Sequence, residues 1–211
     1  MHDNFVSVCV SGERACFTRP ESKAERFTYP MITPSAAVGV LKNIYWHPQF
    51  EYQIDSIEVI RKGHYDSIMR NEIKKKMSGV RLSDPISISE HRTQRQTAFL
   101  RDVSYVIHAR QVMLPEFDTY EMQSKVLGIF RDRVRESRCW ERPSLGMKEF
   151  VADFCRYDIS IHRPVRWTED LGAMLYGFDY KNDQRPQFFH AKIVNGVLRV
   201  PEPRGVLTLV S

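Results

Sequence analysis

Arginine is the residue type through which this chain can do most chemistry. It has 21 Arg against 10 Lys, and its 31 basic residues against 26 acidic ones leave a formal net charge of +5. A guanidinium donates hydrogen bonds in a planar fork that fits two phosphate oxygens, which an ammonium cannot do. The excess favours an anionic partner, though net charge alone names none. The other reactive side chains lack diagnostic spacing. The seven His are scattered and none has a metal-ligand spacing, so no metal site is expected. Cys9, Cys16, Cys139 and Cys155 form no CxxC pair. The phosphate-loop, dinucleotide-fold, HExxH and GxSxG signatures are absent. ATP-driven, nicotinamide-linked, zinc-protease and serine-hydrolase chemistry lose their usual support, and no cofactor is expected.

Such groups need a framework. A length of 211 residues is enough for one or two compact domains with a real core. Hydrophobic residues at 42% and aromatics at 11% argue against disorder. The first residues, Met-His-Asp-Asn, have neither a basic region nor an apolar one, so no signal peptide is expected. The thiols are then read as free in a reducing cytoplasm. No run of about eighteen apolar residues occurs, so no membrane helix is expected.

Residues 5–11 alternate Val6, Val8 and Val10 as a strand does. Thr33-Pro34 reads as an N-cap with Pro at the first helical position. Ala37, Val40, Leu41 and Ile44 then recur at helical spacing, and the helix should stop near Tyr45-Trp46. A second strand follows around 52–60. Residues 61–98 are a long, basic, polar stretch read as an inserted arm. A third strand spans about 100–112, with Val103, Tyr105, Ile107 and Ala109 on one face. A second helix spans 119–137, with Met122, Val126, Ile129, Phe130 and Val134 as its apolar stripe. A fourth strand is expected at 150–154. The order β-α-β-β-α-β is that of a split βαβ unit. Beyond it, 171–180 and 191–200 read as strands, with Asn195-Gly196 as a hairpin turn. The fold class expected is α+β: a ferredoxin-like (RRM-like) domain over 1–157, carrying the insertion, and a small antiparallel β-domain over 158–211.

Five blocks resemble one family in order and spacing. They are RFTYPMITPSAAVGVLKNIYWHP (26–48), RTQRQTAFLRDVSYVIHA (92–109), SLGMKEFVADF (144–154), DLGAMLYGFDY (170–180) and NGVLRVP (195–201). Together they are similar to the CRISPR-associated family-five proteins of subtype I-C, also called Dvulg, within the repeat-associated RNA-binding superfamily. The resemblance implies a metal-independent endoribonuclease that cuts precursor CRISPR RNA at the base of the repeat hairpin. It also implies retention on the 5′ handle of the guide, beside the other type I-C effector subunits. A non-cleaving, guide-binding assembly subunit is the rival expectation, with duplex DNA as an auxiliary partner.

The resemblance also names residues. Relatives use a Tyr at the end of the first helix, which matches Tyr45, and a Lys-His pair early in the second. Lys125 matches the Lys, but Val126 stands where the His is expected. Tyr and Lys have reference pKa values of about 10 and about 10.4, so neither is a ready base at neutral pH. His47, two residues after Tyr45, is a candidate for the missing imidazole, and His108 a weaker one. Each has an ordinary reading: Tyr45 as packing, Lys125 as a surface pair with Glu121, His47 as a solvated loop residue. RNA contacts are expected from Arg92, Arg95, Arg101, Arg131, Arg135 and Lys148, because structured RNA is held largely through phosphates and shape.

Overall fold

In a computed structural model of the protein, residues 4–22, 25–73, 91–179, 183–203 and 207–208 are described. The first strand, β1 (Phe5–Ala15), buries Val6, Val8 and Val10 on one face, as alternation requires. Thr33 then caps α1 (Pro34–Ile44). Its hydroxyl accepts from the Ala36 N–H, and Pro34 occupies a position where a missing N–H costs nothing. Ala37, Val40, Leu41 and Ile44 form the buried stripe, and the helix ends at an extended Tyr45 (φ −154°, ψ 126°).

The chain returns as β2 (Phe50–Arg61) and continues past Gly63 as β3 (His64–Ile73). The long β4 (Arg92–Met113) pairs antiparallel with both, through residues 104–113 on β2 and 92–101 on β3. The described part of the basic stretch is therefore a two-stranded ribbon that prolongs the β2–β4 hairpin. The strand starts eight residues before the expected 100 because residues 92–96 are polar and alternate only between exposed and half-buried positions, with Thr97 and Phe99 the first buried ones, so the segment shows little apolar alternation. Lys74, Lys75, Lys76 and Arg81 of that stretch lie outside the described residues. Gly63 (φ 72°), between β2 and β3, lies against Arg101 and Val103 of β4, where Asp102 also has positive φ (54°); a Cβ on Gly63 would sit 2.5 Å from the Arg101 carbonyl oxygen.

Helix α2 (Tyr120–Arg135) is capped by Thr119, whose hydroxyl accepts from the Met122 N–H, and buries Val126, Phe130 and Val134. It leads to the short β5 (Asp153–Arg156), which starts later than the expected 150 and pairs with β1. Phe150 instead packs in a small cluster with Cys16, Phe99 and Met147. The remaining strands are β6 (Glu169–Asp179), β7 (Arg185–Val194), β8 (Val197–Arg199) and β9 (Leu207–Thr208). Tyr180, expected as the end of β6, is outside the described residues. Asn195 and Gly196 both have positive φ (50° and 78°) and turn β7 into β8, as their pairing predicts.

The nine described strands form one antiparallel sheet in the order β5-β1-β4-β2-β8-β7-β6, with β3 on β4 and β9 on β7. The fold is thus α+β: among the described residues, α1 and α2 pack with a large antiparallel sheet. One apolar cluster joins Val8, Leu41, Ile57, Tyr105 and Phe130 to Met174, Phe189 and Leu198 from the later strands. Each such buried side chain contributes about 1.5–3 kcal/mol of transfer free energy. Among the described residues no helix is long and apolar enough to cross a membrane.

Candidate active site and nucleic-acid interface

A chain of aromatic rings ties the end of α1 to α2. Tyr45 tilts against Phe50 at 5.6 Å, Phe50 meets Tyr52 edge-on at 5.2 Å, and Tyr52 faces Phe130 at 6.0 Å. The Tyr52 hydroxyl donates to the Tyr45 carbonyl at 2.8 Å and accepts from Gln111 Nε2 at 3.3 Å. From α2, Arg133 places its guanidinium 5.0 Å from the Tyr45 ring centre and donates to the Ile44 carbonyl at 2.7 Å. That carbonyl is one of the last of α1, which has no partner within its own helix. A cation there also meets the negative end of the helix dipole.

Tyr45 is only 7% exposed, yet its hydroxyl makes no hydrogen bond among the described residues. Burial raises its pKa above the ordinary 10.0, and the Arg133 charge opposes this more weakly. The phenol is therefore protonated at neutral pH. It can donate a hydrogen bond to a phosphate or ribose oxygen and cannot serve as a resting base.

Lys125 is exposed on α2, and no described residue pairs with it, Glu121 included. It stands eight residues before Arg133, about 12 Å along the helix axis. The fold thus puts Lys125 about two turns from the Tyr45–Arg133 contact, on the same helix. Val126 is 2% exposed and belongs to the core. His47 is exposed in the loop after α1, beside a half-exposed Trp46. His108 is elsewhere, on the face of β4 opposite Tyr105 and Ile107, between Ser7 (2.8 Å) and Glu58 (3.3 Å). What the sequence does not show is that Arg133, one of the arginines clustered on the second helix and read there as an RNA contact, meets Tyr45. The available signal was its position seven residues after Val126, on the apolar stripe, where a charged head must reach out or find a partner.

The arginines expected to hold RNA fall in two groups. On the ribbon, Arg92 donates to Asn71 (3.1 Å), Arg95 pairs with Glu72 (3.1 Å), and Arg101 pairs with Asp66 (3.3 Å). On α2, Arg131 is exposed with no partner among the described residues, and Arg135 pairs with Asp132 at 2.8 Å. Lys148 is almost wholly exposed, 3.5 Å from Glu141. Exposed pairs of this kind contribute roughly 0–1 kcal/mol, so a phosphate can replace the carboxylate at little cost. Exposed rings accompany them. Phe27 and Tyr65 stack at 6.3 Å at the base of the ribbon, each about half exposed. Trp140 is 83% exposed, and its backbone N–H donates to the Asn43 carbonyl near the end of α1. Unpaired bases stack on such rings.

Comparison with known proteins agrees with this architecture. A family model described as CRISPR-associated protein (Cas5), of the Cas5d type, matches residues 5–201. A CRISPR pre-crRNA endoribonuclease Cas5d from Mannheimia succiniciproducens is 36% identical over 94% of this chain and 95% of its own length. One of the same name from Thermus thermophilus is 35% identical over 93% of this chain and 91% of its own. Two solved structures share the fold. A CRISPR-associated protein superposes with a TM-score of 0.71 at 22% identity, over 98% of this chain and 97% of its own. The functionally uncharacterized protein SMU1763c from Streptococcus mutans gives 0.68 at 20% identity, over 98% of both chains. With a family match over residues 5–201 and two relatives above one-third identity, the chain belongs to the Cas5d family of CRISPR-associated proteins.

Proposed function

We propose that the chain binds the hairpin of a CRISPR repeat and cuts precursor CRISPR RNA at the base of the stem. It would then keep the 5′ handle of the guide within a type I-C effector complex in the prokaryotic cytoplasm. The relatives named as pre-crRNA endoribonucleases support the substrate class. The observation that carries the chemistry is the protonated Tyr45 phenol held beside the Arg133 guanidinium. Metal-free cleavage uses the ribose 2′-hydroxyl as the nucleophile. The protein must align that hydroxyl, move protons and stabilise the phosphate. Tyr45 orients the 2′-hydroxyl, Arg133 holds a phosphate oxygen, and the unpaired Lys125 stabilises the phosphorane or the departing 5′-oxygen. His47, exposed after α1, is the nearest imidazole in sequence to take part in proton transfer.

The order β5-β1-β4-β2, with α1 after β1 and α2 before β5, supports reading residues 1–157 as a ferredoxin-like unit with the ribbon as its insertion. Residues 158–211 then supply the small β-domain, whose β8 pairs with β2.

The test is cleavage of the cognate repeat RNA in EDTA with end-group analysis. Cut RNA ending in a cyclic phosphate is the expected product. Lys125→Ala should slow its formation at least tenfold, an effect of the size seen for a positioned catalytic group; a wild-type rate would remove Lys125 from the mechanism. One observation favours a second reading, in which the chain binds and assembles without cutting: Val126 stands where the resemblance implies a His. That reading expects tight, salt-sensitive repeat binding and no product. Competition by random duplex DNA at physiological salt ranks the auxiliary partner in the same assay.

A further inference from the structure

A second group of reactive side chains lies on the face of β1 opposite Val8 and Val10. Cys9 of β1 and Cys155 of β5 are direct partners in the antiparallel register. Their sulfurs and Nε2 of His162 all lie within 4.8 Å of one another. Cys155 is exposed, whereas Cys9 is 5% exposed. The His162 ring stacks on Tyr157 at 6.0 Å, and its Nδ1 accepts the Asp158 backbone N–H at 3.0 Å. An imidazole whose Nδ1 accepts, and is neutral, carries its proton on Nε2. The atom facing Cys155 at 4.0 Å is then an N–H donor, not a lone pair open to a cation. This argues against a soft-metal site, which needs a free imidazole nitrogen. What remains is a thiol pair with room to bond. Opposed antiparallel residues have Cα atoms about 4.5–5.5 Å apart, inside the roughly 4.4–6.8 Å window of disulfides.

We propose that Cys9 and Cys155 are a reversible disulfide-forming pair, a modification site for low-molecular-weight disulfides such as oxidised glutathione. The Cys155 thiolate attacks one sulfur of oxidised glutathione. A mixed disulfide forms, and one glutathione leaves as its thiolate. Cys9 then loses its proton to solvent and attacks the Cys155 sulfur, expelling the second glutathione thiolate. The two protein thiols are oxidised by two electrons, and one glutathione disulfide is reduced to two glutathione molecules. Access sets the order, because only the exposed Cys155 can meet a bulky oxidant. Burial also pushes the Cys9 thiol up to about 11, which suits a sulfur that reacts second and only with a neighbour already in place. The bond ties the four-residue edge strand β5 to β1.

The test needs no RNA. The full chain is incubated with oxidised glutathione, quenched with acid, and mapped as unreduced peptides. The expected product joins the Cys9 and Cys155 peptides and is reversed by dithiothreitol. Cys9→Ser should stop at the glutathione adduct on Cys155, and Cys155→Ser should leave Cys9 unmodified. The half-buried Cys139 serves as the internal control and should enter no cross-link with either. A wild-type product that remains the Cys155 adduct, with Cys9 free, overturns the proposal. So does protection of both thiols from alkylation by an equimolar zinc salt, which would restore the cation site.

Discussion

Arg133 donates to the carbonyl that ends α1 and covers the ring of Tyr45, the residue that caps it. One side chain on α2 thus satisfies the open end of α1 and sets a positive charge beside the phenol. Any phosphate drawn to that charge arrives next to a hydroxyl that no described residue occupies.

Arg133→Ala should therefore cost stability as well as activity. It removes a charge-assisted hydrogen bond and a partly buried cation–π contact, together about 2–3 kcal/mol. Arg133→Lys keeps the charge but cannot stack and donate from one planar group, so it should recover less than half of that loss. Urea midpoints without RNA measure both variants. An unchanged midpoint in the Ala variant would refute the interlock.

Tyr45→Phe separates packing from chemistry. The ring and its contact with Phe50 remain, and the lost hydroxyl has no described partner, so stability should stay within about 0.5 kcal/mol of the parent. If the hydroxyl orients the nucleophile, single-turnover cleavage should fall about 100-fold with repeat affinity unchanged. Because burial raises the Tyr45 pKa above 10.0, the wild-type rate should show no tyrosine ionisation between about pH 6 and pH 9.

The helices were legible because their signals are local. Thr33-Pro34 and the stripe from Ala37 to Ile44 specify α1, and Thr119 with Val126, Phe130 and Val134 specifies α2. The ribbon was not, because β3 and residues 92–96 of its partner are mostly polar and carry little apolar alternation. Tyr45 was found only through family resemblance. Its partner Arg133 is 88 residues away in sequence, and no local pattern encodes a contact between two helices. The meeting of Cys9 with Cys155 depends in the same way on strand register, which spacing along the chain does not reveal.

Alkaline pH should destabilise the protein in stages. Cys9 has its pKa raised by burial from 9.0 to about 11. The unfolded chain releases this proton first, so above pH 9 it binds fewer protons than the folded chain, and stability falls as pH rises. The contribution is complete below about pH 9 and lost by about pH 11, some 2–3 kcal/mol for one group. Buried Tyr52 is shifted in the same direction from 10.0 and adds to the loss at higher pH. Urea midpoints between pH 8 and about pH 11 follow the decline. Cys9→Ala should flatten its first part, and an equally steep decline in that variant would reassign it.

Two glycine substitutions should have opposite signs. Gly63 has positive φ, and an added Cβ would lie 2.5 Å from the Arg101 carbonyl oxygen, so Gly63→Ala should cost about 2 kcal/mol or more. An added Cβ at Gly128, within α2, meets nothing within 4 Å, so Gly128→Ala should gain about 1 kcal/mol from helix propensity. Thermal melts of the two variants check both signs. Equal shifts would mean that close backbone approach does not constrain Gly63.

Restoring the expected imidazole by Val126→His should not restore fast cleavage. Successive helix residues point about 100° apart. With Lys125 exposed and Val126 2% exposed, an imidazole at 126 enters the core. It would lose apolar packing and bury a polar ring, a cost of about 2–4 kcal/mol. Cleavage per folded molecule should be no faster than in the parent, and the urea midpoint should fall. His47 offers the contrast, since an exposed loop imidazole can be removed without unfolding the chain: His47→Ala should keep the midpoint and slow cleavage if that ring moves the proton. A tenfold faster, fully stable Val126→His enzyme would instead mean that α2 turns when RNA binds, bringing positions 125 and 126 to the scissile phosphate together.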